Sequence, residues 1–400
     1  MTSFSSKRRM AGFSLVELLA GMTVALIAFV IMMKLFADSE NAKRNVSSGS
    51  DAQINGAIAL FSLGRELRFA GHGLTADAAL GCTLAVHNAA RSPTDFSIEQ
   101  LSPVTIFPAG TSAELAADTV LPAGDSNTDI IVVVYGDANL AREAIQFNDK
   151  TADANYAGYV VKNRVGLQVG DLVIAAESGK NCSLLQVTGL PGSNTVCNEY
   201  VDGKSSVVQF NTATFLNPYS TTGSCTTVGS SSYNQPTPPV SYSSSGYSAT
   251  LSNLGAEPRI VAYAIRNGNL AYCDLLTTDC TGASNWSTAA THIVGLKARF
   301  GWDTSGTADG LVDEYSDTTP DSLSAKTDQC RISRISAVQI GLVARNALMD
   351  KQDVTSTAPA WQGGSFTLSH ISNWKRFRYK VFETVVPLKN MVWKGAISGC

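Results

Sequence analysis

An apolar run from Phe13 to Met33 carries one ionisable side chain, Glu17, and is preceded by Lys7, Arg8, Arg9 and Gly12. At about 1.5 Å per residue, a helix of this length nearly matches a hydrocarbon core of about 30 Å. An acid near the start of such a helix costs roughly 2.5–3.5 kcal/mol on insertion scales. A chain that keeps one there needs a partner for it, so the segment is expected to dock against other subunits inside a bilayer. The positive charges precede the run, which predicts a cytoplasmic N-terminus and an exported remainder. A secretory signal peptide is the poorer reading. The run is too long, it contains Glu17, and no small-x-small cleavage site follows it.

Four hundred residues with 44% hydrophobic content suffice for a sizeable core, and only 16% are charged. Gly, Ser, Thr and Asn are abundant, which points to an exported, β-rich, loop-rich body. A net charge of −3 gives no general reason to bind nucleic acid or an anionic surface. The eight cysteines are Cys82, Cys182, Cys197, Cys225, Cys273, Cys280, Cys330 and Cys400. None forms a CxxC and no His cluster joins them, so disulfides in an oxidising compartment are expected rather than zinc. The short loops Cys182–Cys197 and Cys273–Cys280 are the first candidates, and Cys400 reads as a terminal clamp.

The stretch Gly12-Phe13-Ser14-Leu15-Val16-Glu17-Leu18-Leu19 resembles the type III signal of type IV pilins and type II secretion pseudopilins. The resemblance implies cleavage by a prepilin peptidase between Gly12 and Phe13, and N-methylation of Phe13. It also implies that Glu17 pairs with the N-terminal amine of a neighbouring subunit. Burying both charges as a pair is tolerable, whereas burying Glu17 alone is not. Lys34 stands where major pilins carry a helix-kinking proline, which suits a minor subunit.

Beyond the membrane segment, residues 38–70 continue in a helical style, with Ile54, Ile58, Phe61 and Leu67 near one face. That face is expected to pack on a globular head, and Gly71-His72-Gly73 to end the helix. Short runs between turn residues predict strands at 129–135, 159–162, 172–175, 183–187 and 207–210. Arg259–Cys273 reads as a hairpin turning at Asn267-Gly268. Later strands are expected at 292–302, 335–344 and 379–388. The Ser/Thr/Tyr/Pro-rich tract 217–252 buries too little apolar surface to order itself and is expected to be an exposed loop, with Cys225 as a tether.

Two further stretches narrow the resemblance. Leu63-Gly64-Arg65-Glu66-Leu67-Arg68-Phe69-Ala70-Gly71, followed by Gly81-Cys82, is similar to a stretch of the PilW family of minor pilins. Phe377–Asn390 resembles that family's C-terminal strand, with Lys389 where Arg is usual. The resemblance implies a subunit that initiates or caps type IV pili. Its partners would be other minor pilins, the major pilin, a tip adhesin, the prepilin peptidase and the inner membrane. The alternatives are a minor pseudopilin of type II secretion, or a pilus-tip adhesin using the 217–252 loop.

The acidic loop from Trp302 to Tyr315 looks like a degraded calcium-binding pattern, with Asp303, Ser305, Asp309 and Asp313 as the candidate ligands. A solvated acidic hairpin loop is the preferred reading, and no cofactor is expected. Trp374–Lys380 interleaves basic and aromatic residues, a composition able to hold single-stranded nucleic acid. A strand edge with one charged face accounts for it equally, and DNA is not an expected partner. The histidines His72, His87, His292 and His370 stand far apart, and no HExxH, GxSxG, P-loop or dinucleotide fingerprint is present. The chain reads as a non-enzyme.

The expectation is an α+β protein: a long N-terminal transmembrane and amphipathic helix, pilin-like, packed on an antiparallel β-rich head with disulfides. Residues 1–12 would be the leader, 13–36 the membrane half of the helix, 37–71 its periplasmic half and 72–400 the head. The chain would sit in the inner membrane by a single pass with a periplasmic head, and then in the pilus at the cell surface.

Overall fold

The computed structural model describes residues 14–139, 143–153, 158–190, 206–210, 212, 214–217, 226–395, 397 and 400. Cα proximity divides the chain into two units, residues 1–51 and residues 52–400.

The first unit is helical. The helix that runs Leu15–Phe69 begins here, and its portion Leu15–Glu40 has a mean hydropathy of 2.5, long and apolar enough to cross a membrane. Its large apolar side chains, among them Leu18, Met22, Leu26, Phe29 and Met33, are all exposed within the chain. Such an unburied cylinder is stable in lipid, where no water contacts it and every central backbone group is satisfied within the helix.

The second unit is an α+β head. Residues 52–69 of the helix lie on it through a stripe of Ala52, Gly56, Ala59, Leu63, Glu66 and Leu67, continued by Ala70 just beyond. The spacing alternates between three and four residues, as one helical face requires. The apolar face read from the sequence is therefore corrected. Ile54, Ile58 and Phe61 are exposed, Phe61 by 70%, and only Leu67 of that set is buried. The helix carries two stripes on opposite sides, and the small-residue stripe faces the head because it lets the backbone approach closely. A Cβ on Gly56 would fall inside the Phe382 ring.

Two sheets lie under the helix. One has five strands in the order Ser287–Ala290, Asn269–Asp274, Arg259–Arg266, Ile130–Tyr135, Val104–Phe107. The other has four, in the order Glu314–Ser316, Ile293–Trp302, Ile335–Arg345, Tyr379–Pro387. Beneath the five-stranded sheet lies an eight-stranded one containing Leu172–Ala176, Cys182–Gln186 and Ala249–Gly255. The middle layer is buried on both faces. Ile131, Val133 and Val261 face the helix-side core, whereas Ile130, Val132 and Val134 face the eight-stranded sheet. Continuous apolar strands such as Ile130–Tyr135 follow from that placement. The hairpin Arg259–Asp274 turns at Asn267 and Gly268 with φ of 52° and 70°, the paired left-handed conformations of a type I′ turn.

The polar tract is also corrected. Its residues from 231 onward are strapped across the eight-stranded sheet rather than projecting as a loop. Asn234 donates to the Gln186 carbonyl and accepts from the Gln186 N–H, both at 2.8 Å, in the manner of a neighbouring strand. Tyr242 is buried in a core with Phe147 and Tyr159, and its hydroxyl donates to the Ala175 carbonyl at 2.8 Å. Residues 249–255 then form a central strand. A few large or bidentate residues anchor a segment whose average composition is too polar to fold alone. Cys225 and residues 218–225 lie outside the described residues.

Three disulfides are described: Cys82–Cys182, Cys273–Cys280 and Cys330–Cys400. Cys182 thus joins Cys82, not Cys197, which lies outside the described residues. The strands Leu84–His87 and Cys182–Gln186 pair in parallel, with Leu84 opposite Cys182, so Cys82 arrives beside a residue 100 positions away. Spacing along the chain carries no trace of that crossover.

Candidate functional site

Gly12 and Phe13 lie outside the described residues. Glu17 stands in the first helical turn, exposed, where its Oε2 accepts the Ser14 N–H at 3.1 Å. A carboxylate at that place satisfies one of the orphan donors of the helix start and complements its dipole.

The helix end in the head is where the two stretches similar to PilW meet. The Asn390 side-chain amide donates to the carbonyls of Phe69 and Ala70, at 3.2 and 3.1 Å. These are C-terminal carbonyls past the last regular helical bond; Phe69 also accepts the His72 N–H at 2.9 Å, and Ala70 relies on Asn390. Gly71, at φ of 77°, turns the chain and donates its N–H to Val134 at 2.9 Å. One turn earlier Glu66 is buried on the helix stripe. It accepts the Tyr135 hydroxyl on Oε2 and the Arg65 guanidinium on Oε1, the latter at 3.1 Å. Burial and the Glu66 carboxylate push the Tyr135 phenol well above its ordinary range, so it remains a donor.

A cavity of about 690 Å³ opens at this junction between Arg65, Arg68, Phe69, Tyr135, Lys389 and Trp393. Trp393 is 78% exposed and Phe69 half so. No individual role for Glu66, Tyr135 or Asn390 is legible in the sequence alone. An acid within an alternating three-four stripe of small residues was the available signal for Glu66, and Asn390 was visible only as part of a motif.

The acidic loop has a different geometry from a calcium site. Asp303 is buried, and its oxygens accept the N–H groups of Ser305, Asp309 and Gly310. The Arg334 guanidinium lies 3.3 Å from Asp303 Oδ1 and donates to the Ser305 carbonyl at 2.8 Å. Asp313 accepts from Thr304 and Ser305, which holds its carboxyl below the usual range. Asp309 accepts the Leu311 N–H. Asp303, Ser305, Asp309 and Asp313 therefore share one loop, but a guanidinium stands against Asp303 where a cation would sit. Among the described residues no group of three or more His, Cys, Asp or Glu side chains is placed to hold a metal ion. As arranged, the donor set does not fit calcium.

In the basic aromatic patch, Arg376 lies 3.7 Å from Asp353 and Arg378 lies 3.3 Å from Asp350. Trp374 and Tyr379 pack on the outer face of the four-stranded sheet with Val343 and Phe366. Burial pushes the Tyr379 phenol up to about 12, and its hydroxyl donates to the Trp374 carbonyl. Much of the charge is thus neutralised locally, and these rings serve packing.

An apolar N-terminal helix of membrane length, joined to a disulfide-braced β-rich head, fits a membrane-anchored protein. Residues 262–390 match the family described as Type IV Pilus-assembly protein W, PilW, which supports a PilW-family protein of the type IV pilus. The match ends at Asn390, the residue that closes the helix. No curated protein and no solved structure matches the chain.

Proposed function

We propose that the chain is a minor pilin of the type IV pilus, acting in assembly initiation or in the tip complex beside other minor pilins. It is a structural subunit rather than a catalyst. Prepilin peptidase removes residues 1–12 and Phe13 becomes the methylated first residue. The helix holds the chain in the inner membrane with its head in the periplasm until the subunit enters a filament. Glu17 is then neutralised by the freed amine of an adjacent pilin. The head selects its sister subunits and the tip adhesin.

One observation carries this reading: an all-round exposed apolar helix with a lone carboxylate at its start, on a chain whose C-terminal third matches PilW. Lipid explains the apolar surface, and a partner charge offsets the cost of holding the acid within it. Mass spectrometry of the native protein tests it. A mature chain starting at N-methylated Phe13 supports the reading, and an intact leader with an unmodified start sinks it. Gly12→Ala should block processing, whereas Glu17→Ala should be processed yet recovered poorly in sheared pili.

A further inference from the structure

The strand Tyr379–Pro387 forms one edge of the four-stranded sheet and pairs with Ile335–Arg345 without interruption, from Arg345 opposite Tyr379 to Ala337 opposite Pro387. Two flanking bonds fix which residues point inward: Asn346 N–H to the Arg378 carbonyl, and Leu388 N–H to the Ser336 carbonyl. Antiparallel alternation then directs the backbone groups of Lys380, Phe382, Thr384 and Val386 toward the neighbouring strand. The N–H groups of Tyr379, Val381, Glu383 and Val385 point away from the sheet. Among the described residues no strand and no hydrogen bond takes them up.

The other edges of the large sheets are short. They are Val207–Val208, Asp95–Ile98, Ser287–Ala290, Val104–Phe107 and Glu314–Ser316, none longer than 4 residues. Short edges are a standard protection against unwanted pairing. The edge Tyr379–Pro387 has 9 residues and no bulge. Its small neighbour, the hairpin Ala360–Ser365, lies on the face of the sheet, with Trp361 against Gly341; it reaches the edge strand only through the Gln362 N–H to the Glu383 carboxylate at 2.8 Å, and among the described residues takes up none of the outward N–H groups.

We propose that this edge receives an extended strand from a different polypeptide, added antiparallel by backbone hydrogen bonds. Two charges give the partner its chemistry. Lys380 and Glu383 are both exposed, Glu383 also accepting the Gln362 N–H on Oε2 at 2.8 Å, so a matching antiparallel strand carries a basic residue opposite Glu383 and an acidic residue three positions later, opposite Lys380. A second copy of this chain fits poorly. Full antiparallel overlap of two such edges would set Glu383 against Glu383 and place Pro387, which has no N–H, opposite Tyr379. The inference rests on the edge geometry and holds whichever apparatus the subunit serves.

The test uses the full chain in its own membranes, with a photo-crosslinking amino acid in place of the exposed Pro387. The same probe at Val120, exposed on a separate hairpin, is the control. The expected result is a discrete adduct from position 387 only, mapping to an extended segment of another protein. Val385→Pro removes an outward N–H and spares every bond to the neighbouring strand, so it should cut that adduct roughly tenfold with an unchanged Tm. Three results would each overturn the proposal: no adduct above the control, an adduct with a second copy, or an adduct untouched by Val385→Pro.

Discussion

Asn390 holds the Ala70 carbonyl at 3.1 Å, joining the end of the first helix to a residue 320 positions later in the chain. The bond is a C-terminal helix cap supplied from a distance. Asn390→Ala removes the donor that the Ala70 carbonyl relies on, while Phe69 keeps the His72 N–H at 2.9 Å, so the head should lose about 1 kcal/mol. Asn390→Asp should lose more, because a carboxylate faces the negative end of the helix dipole. Chemical denaturation of the purified chain in detergent measures both, and equal stability of all three proteins would refute the cap.

Gly56 and Phe382 set the distance between helix and sheet. Gly56→Ala gains roughly 1 kcal/mol of helix propensity yet forces the ring or the helix to move, at a cost of about 1–3 kcal/mol. A net fall in Tm is expected, with recovery when Phe382→Ala is added. A Gly56→Ala protein more stable than the parent would show that the close approach is absent.

Arg334 neutralises the buried Asp303 and also donates to the Cys400 carbonyl at 2.8 Å. Arg334→Met strands Asp303 and should destabilise the head by about 3–5 kcal/mol. Because the cation is built in, millimolar calcium or a chelator should leave the Tm of the parent chain unmoved. A calcium-dependent rise would overturn this account of the loop.

Glu177 fastens the strap to the eight-stranded sheet. Burial opposes its ionisation, but donors from Ser243, Ser248 and Lys180 prevail and hold the carboxyl at about 2, against an ordinary 4.5. A depressed folded value contributes stability that is complete above pH 4.5 and is lost as the pH falls toward 2. Glu177→Gln should flatten the acid limb of a Tm-against-pH curve within that window. Limited proteolysis should cut residues 243–248 earlier in the parent as acid is added.

Local pattern revealed the elements whose cause is local. Ile130–Tyr135 and Leu172–Ala176 announce themselves as apolar runs, and Asn267-Gly268 as a turn, because each depends on adjacent residues. The helix face was misread because Ile54, Ile58 and Phe61 outweigh Ala52, Gly56 and Ala59 in any count of hydrophobicity, while burial was decided by how close the backbone could come. The strap was misread because its average is polar, although Asn234 and Tyr242 alone suffice to hold it. At the helix end, the motif around Arg65 was legible, but its partner Tyr135 was not. At the acidic loop, Asp303 was legible and Arg334, 31 residues away, was not.

The middle sheet sends Val133 toward the helix and Val134 toward the eight-stranded sheet. Sliding that strand by one residue would exchange the contents of both compartments at once. Register is therefore the one property the two compartments share: a substitution such as Val133→Ala alters a single core, whereas an insertion or deletion within this strand would disturb both.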